Sequence, residues 1–295
     1  MARRPGLFGL LLAGTPIVFL LPLSAGAQKP TPTCLGVPAE IMGTARGEEI
    51  RGTLGDDVIV GRRGNDRIFG RGGDDVICGD EDGIAVGGND EIFGGPGDDN
   101  TLIGDGDHVG TGGNDLVSGG PGADVFLVGD GRVVTTGGDD EIRGGGGDDN
   151  LLMGDGALVT TGGDDVISGG DGADLALLGD GGGDDALVAV TTGGNDLVSG
   201  GLGDDFNLQG DGVNVGSGGD DKVSGNAGND TAVRGDGDDV GTGGNDRVLG
   251  GLGDDFLFGD RGDDFLDGGE DSDALDGGDG VDRCVRGEFV ANCET

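Results

Sequence analysis

One residue type recurs with a spacing that could do chemistry. Asp follows Gly at a nine-residue beat near the start of the chain: Gly55-Asp56-Asp57-Val58, Gly64-Asn65-Asp66-Arg67 and Gly73-Asp74-Asp75-Val76. The same beat returns near the end at Asp255, Asp264, Asp273 and Asp282. Repeated carboxylates beside Gly-rich turns suit a hard cation. Ca²⁺ takes six to eight oxygen ligands at 2.3–2.6 Å, drawn from carboxylates and backbone carbonyls. Gly turns can aim carbonyls inward while one Asp per turn supplies charge, and stacking turns about 4.8 Å apart brings Asp side chains of neighbouring turns to a shared ion. Other chemistry is poorly provided for. The single His, His108, stands in Gly104-Asp105-Gly106-Asp107-His108, and the sequence holds neither a His-Glu-x-x-His pair nor a Gly-x-Ser-x-Gly elbow. A hydrolase built from an Asp pair is the alternative from another class, since β-helices can carry polysaccharide-cleaving sites. The regular short turns and the lack of Trp and Tyr argue against sugar platforms.

The elements that must position these Asp residues are written in a longer period. Gly-Gly-Asn/Asp-Asp recurs at Asn89, Asn114, Asp139, Asp164, Asn195, Asp220 and Asn245, with steps of 25, 25, 25, 31, 25 and 25 residues. The step of 31 reflects six extra residues around Gly181 to Ala186. Three aliphatic columns keep register with it: Leu102, Leu127, Leu152, Leu177, Leu208 and Val233; Val109, Val134, Val159, Val190, Val215 and Val240; and Ile92, Val117, Ile142, Ile167, Val198, Val223 and Val248. One unit cannot bury these side chains alone, but stacked units would place like on like in a continuous core. The apolar runs are short, as in Val125-Phe126-Leu127-Val128, and bounded by Gly and Asp, which predicts brief strands between tight turns. Helix is disfavoured because each interior Gly costs roughly 1 kcal/mol against Ala.

Composition sets the outer limits. Of 295 residues 76 are Gly, far above a usual share of roughly 7%, and only 8 are Pro with no Gly-X-Y period, so the chain is not collagen. High charge and few aromatics would permit disorder, but hydrophobic residues still reach 33% and sit at fixed repeat positions. The net charge of −41 argues against nucleic acid as a partner and for cations. At the N-terminus Arg3 and Arg4 precede an apolar run from Leu7 to Leu23, and Ala25-Gly26-Ala27 offers small residues for cleavage. Residues 1–27 are therefore expected to be a signal peptide cut between Ala27 and Gln28, leaving a secreted chain with no membrane segment. Its loss removes two Arg and no acid, taking the net charge from −41 to −43. The apolar run is interrupted by Pro16 and Pro22 and falls short of a roughly 20-residue span.

The pattern Gly-Gly-x-Gly-x-Asp-x-apolar-x, as in Gly94-Gly95-Pro96-Gly97-Asp98-Asp99 and Gly119-Gly120-Pro121-Gly122-Ala123-Asp124, resembles the RTX, or haemolysin-type, calcium-binding repeat. About twenty copies cover most of residues 51–283. The resemblance implies an all-β fold, a parallel β-roll or β-helix solenoid, binding several Ca²⁺ ions. It also implies that the ligand is the Asp just before each strand: Asp57, Asp66, Asp75, Asp90, Asp99, Asp115, Asp124, Asp140, Asp149, Asp165, Asp174, Asp196, Asp205, Asp221, Asp230, Asp246, Asp255, Asp264, Asp273 and Asp282. The preceding residue (Asp56, Asn65 or Asn114) suits a turn cap or a solvent-facing site. RTX toxins and proteases carry such repeats behind another domain, whereas here they fill most of the chain, and 25 residues exceed an eighteen-residue two-turn coil. The excess is either an extra loop or a third short strand.

Residues 28–50 and 284–295 are expected to cap the solenoid. In such an architecture Cys34 and Cys284 would lie too far apart along the axis for the roughly 4.4–6.8 Å Cα separation of a disulfide. Local pairing, Cys34–Cys78 and Cys284–Cys293, is the expected connectivity in an oxidising compartment. A second Asp column, Asp80, Asp105, Asp130, Asp155, Asp180, Asp211 and Asp236, each after a Gly, is either another ion row or a row of turn residues. The column Thr111, Thr136, Thr161, Thr192, Ser217 and Thr242 reads as a polar strand end rather than a hydroxyl ladder. Together these features predict a secreted calcium-binding protein that folds around its ions, with a structural or adhesive role towards a matrix or cell-surface partner.

Overall fold

The computed structural model describes residues 31–181, 191–213, 215–237 and 240–294. The expected signal peptide, Val190 and the insert after Gly181 lie outside the described residues. Among the described residues there is no helix, and short strands repeat in the order in which the Gly-Asp turns repeat.

Residues 31 onward form one unit wound as a parallel coil. Twelve strands stack in one sheet, from Ile41–Met42 through Val58–Arg62, Val76–Asp80 and Thr101–Ile103 to Phe289–Ala291. Eleven strands stack in a second, from Glu49–Arg51 through Arg67–Phe69 and Glu91–Phe93 to Arg283–Val285. At the two ends, where the period is nine, each coil has these two sides and the Asp column advances by 18 residues per coil. In the middle coils a third side appears: Ile84–Val86, His108–Thr111, Val133–Thr136 and Leu158–Thr161 pair in parallel. The 25-residue unit thus adds a third short strand. Isolated bridges Thr161↔Thr192 and Ser217↔Thr242 continue that side beyond the insert.

Register follows the sequence columns. Leu102 pairs with Leu127, Leu127 with Leu152 and Leu152 with Leu177, while Val117, Ile142, Ile167 and Val198 pair successively on the opposite sheet. Both columns point inward and interlock in one core cluster from Ile50 to Leu275. Val60, Cys78, Ile103, Val128, Met153 and Leu178 form a second apolar column, and Val134, Val159, Val215 and Val240 back the third side. A fully buried aliphatic side chain contributes roughly 1.5–3 kcal/mol, so a stack of coils is stable where one coil is not. The Thr111–Thr136–Thr161 column faces outward on the third side.

Glycine permits the tight stacking. Gly145 holds φ +121°, and a Cβ there would lie 2.2 Å from the Gly120 carbonyl oxygen of the preceding coil. The two expected disulfides are present, with Cα separations of 5.5 Å for Cys34–Cys78 and 5.9 Å for Cys284–Cys293. The segments read as caps do more than close the ends. Ile41–Met42, Glu49–Arg51, Arg283–Val285 and Phe289–Ala291 are themselves strands of the two long sheets. Among the described residues only the antiparallel pair Thr33–Cys34 with Val37–Pro38 departs from the coil.

Candidate metal centre

The twenty Asp residues singled out in the sequence fall into two columns, one before each long sheet. Asp57, Asp75, Asp99, Asp124, Asp149, Asp174, Asp205, Asp230, Asp255 and Asp273 precede strands of the first sheet. Asp66, Asp90, Asp115, Asp140, Asp165, Asp196, Asp221, Asp246, Asp264 and Asp282 precede strands of the second. All are buried, none more than 6% exposed. A carboxylate so placed must be paired or neutralised, because desolvating an isolated charge costs several kcal/mol.

One oxygen of each carboxylate has a fixed use. The amide of each Asp donates to Oδ1 of the equivalent Asp in the following coil: Asp90 to Asp115 at 2.6 Å, Asp115 to Asp140 at 2.7 Å, Asp99 to Asp124 at 2.8 Å. At the C-terminal end Glu288 and Glu294 take over as acceptors for the Asp273 and Asp282 amides. The other oxygen, Oδ2, is buried without a hydrogen-bond partner in every column member from Asp66 to Asp282; only the Asp57 Oδ2 is satisfied, by the Thr53 amide.

These orphaned oxygens share their space with backbone carbonyls. A Cβ built on Gly104 would sit 2.1 Å from the Asp115 Oδ2 and 1.8 Å from the Gly129 carbonyl oxygen. A Cβ on Gly94 would meet the Asp99 Oδ2 at 1.9 Å and the Gly119 carbonyl at 2.9 Å. The cradle repeats coil after coil, and any residue but Gly would fill it. Carboxylate and carbonyl oxygens converging on one small space form the donor set that Ca²⁺ takes, and they offer nothing to a soft metal.

The second Asp column is part of the same construction. Asp80, Asp105, Asp130, Asp155, Asp180, Asp211 and Asp236 are each at most 1% exposed. Asp80, Asp105, Asp130 and Asp155 each stand just before a strand of the third side.

Electrostatics agree with a site built for positive charge. Burial comes first among the causes that push these carboxyls up, with neighbouring Asp charges adding to it: Asp90 and Asp99 rise to about 8 and Asp246 to about 10. Asp115, Asp140, Asp165 and Asp196 lie well above the usual carboxylate range for the same reason. Nearer the ends, Asp66 and Asp75 rise only to about 6. In the second column, carboxyl oxygens of successive coils lie within 4.8 Å of one another, so their protons belong to the row rather than to single residues. The raised carboxyls favour the protonated form when no cation is bound, and a divalent ion would displace those protons. His108 lies outside these columns, on the surface, with Nδ1 3.2 Å from both Asp82 and Asp107.

The repeat family described as the RTX calcium-binding nonapeptide repeat (4 copies) matches at residues 43–83, 84–108, 109–133, 128–157, 210–240, 240–275 and 250–284, more than half of the chain. No curated protein matches the chain.

Proposed function

The chain belongs to the RTX calcium-binding nonapeptide repeat family, and from that premise we propose that it is exported and that calcium binding and folding are one event in it. Calcium binding is the family's property; the coupling rests on one observation, the orphaned Oδ2 that nearly every coil buries in each of its two Asp columns. An unpaired buried polar group costs roughly 1–3 kcal/mol and more when charged, so about nineteen of them outweigh the 5–15 kcal/mol by which a domain is ordinarily stable. A cation shared between coils converts that cost into the contact that holds coils together.

Two features support an extracellular setting. Two disulfides suit an oxidising compartment. The basic and apolar N-terminal residues have the composition of an export signal. Calcium modules working outside cells typically bind at 10⁻⁴–10⁻³ M, which would leave the chain unfolded in a low-calcium cytoplasm and folded outside. A structural or adhesive role is the reading we attach to this, in preference to catalysis. The Asp carboxylates of the buried columns lie where no polymer substrate reaches them. An interrupted row of exposed apolar side chains, Val125, Leu175, Phe206, Phe256 and Phe289, follows the Asp column of the first sheet and offers a surface for a partner.

The test is far-UV circular dichroism of the chain from Gln28 onward during calcium titration, with magnesium as control. A cooperative gain of β signal in calcium alone is expected. A full β spectrum in EDTA at neutral pH would sink the coupling.

A further inference from the structure

We propose that the second Asp column and the Asp column before the second sheet jointly hold a row of calcium ions, one per 25-residue unit, in sites of three carboxylates each. This rests on the calcium reading above but adds a class of site that the nonapeptide pattern does not contain.

The geometry of four successive groups carries it. One carboxylate oxygen each from Asp80, Asp90 and Asp105 lie within 4.8 Å of one another, and the same holds for Asp105, Asp115 and Asp130, for Asp130, Asp140 and Asp155, and for Asp155, Asp165 and Asp180. Oxygens on opposite sides of one calcium ion stand about 4.8 Å apart, twice a bond length of about 2.4 Å, so each group has the span of one ion.

The turn-residue reading accounts for only half of each side chain. Oδ2 of Asp80 accepts from the Gly88 amide at 2.7 Å, and Asp105, Asp130 and Asp155 accept likewise from Gly113, Gly138 and Gly163. That bond ties the Asp to the Gly-Gly turn closing the third strand. The remaining Oδ1 of Asp80, Asp105, Asp130, Asp155, Asp180 and Asp211 is buried with no partner. A side chain needed only for the turn has no reason to bury a second, unsatisfied oxygen in a group whose carboxylate oxygens, with those of Asp90 or Asp115, lie within 4.8 Å of one another.

Charge bookkeeping identifies the ion's valence. Asp105, Asp130 and Asp155 each stand in two successive groups, so every unit adds one Asp from each column, two negative charges. One divalent ion per unit leaves this row neutral. The column before the first sheet adds a single Asp per coil and keeps the ordinary nonapeptide arrangement. At the N-terminal boundary the extra carboxylate begins where the third strand begins. In the two-sided coil before the first group its place in the register is taken by Arg62, opposite Asp80, with its guanidinium on Glu81 at 3.3 Å.

Two measurements test this. The chain carrying Asp105→Asn, Asp130→Asn and Asp155→Asn keeps acceptors for the glycine amides but loses charge from all four groups. Equilibrium dialysis with metal analysis should find about four fewer calcium ions per molecule than in the parent chain. An unchanged count in a folded variant would overturn the proposal. Should the variant not fold, anomalous diffraction from calcium-loaded crystals of the parent chain decides. Calcium inside the three-carboxylate groups as well as along the first column is the expected result. Calcium along the first column alone would overturn the proposal and leave the calcium reading intact. Calcium at neither place would overturn the calcium reading itself.

Discussion

Gly104 illustrates what a single position must do here. Its missing side chain is the space into which the Asp115 carboxylate and the Gly129 carbonyl point. Gly104→Ala should cost roughly 1–3 kcal/mol or more, as overpacking does, and should weaken calcium binding at that coil. Gly55→Ala, with nothing within 4 Å of the built Cβ, should stay within about 0.5 kcal/mol. Urea unfolding in saturating calcium distinguishes the two, and equal costs would mean that the Asp115 and Gly129 oxygens do not approach Gly104 as closely as described. At this scale the sequence was legible for the twenty Asp before the strands, because a carboxylate at a fixed offset from Gly repeats in plain view. For Asp80 and its column the sequence showed the recurrence and left an ion row and a row of turn residues open. Periodicity shows that a residue recurs, but the side of the coil it faces depends on the backbone path through the third strand.

Strands and staples come next. Cys34–Cys78 spans 44 residues and Cys284–Cys293 spans 9. In the chain-entropy account those loops correspond to about 4 and about 2.6 kcal/mol of stabilisation at 25 °C. Replacing the first pair by Ser should therefore lower the unfolding midpoint in calcium more than replacing the second; the reverse order would show that the C-terminal coil limits stability. The columns headed by Leu102 and Ile92 were readable as strands because each carries inward-facing aliphatics in register. The third side was ambiguous between loop and strand. Val133-Val134-Thr135-Thr136 has only one inward side chain, Val134, and a single apolar position fixes no period. The segments expected to be caps also carry strands of the coil, and Ile41 and Phe289 occur once each, so no repeat announced those strands.

For the whole molecule the distinctive variable is the number of protons bound. Asp residues raised to about 6, as Asp66 and Asp75, or to about 8, as Asp90 and Asp99, keep protons in the metal-free fold that the unfolded chain, titrating near 3.9, has lost. More protons bound when folded means that stability falls as pH rises. The metal-free fold should have this contribution in full below about pH 4 and lose it as pH climbs through 6 and 8. In EDTA, β signal by circular dichroism should appear on acidification to pH 4.5 and vanish on return to pH 8. With calcium saturating, the carboxylates are ionised in folded and unfolded chain alike above about pH 6, so the unfolding midpoint should be flat there. A metal-free fold stable at pH 8 would contradict the burial of these groups.

The Asp-to-Asp amide bonds all run one way: every coil donates to the one after it, and Glu288 and Glu294 receive the last two. A chain made from its N-terminus therefore always ends in a coil whose amides still await acceptors not yet made. Each new coil satisfies its predecessor and inherits the same debt, until two glutamates settle it. The two ends are thus unequal under trimming. Loss of the first coils leaves carboxylate oxygens without their amide donors, whereas loss of the last residues removes Glu288 and Glu294 and leaves the Asp273 and Asp282 amides without acceptors.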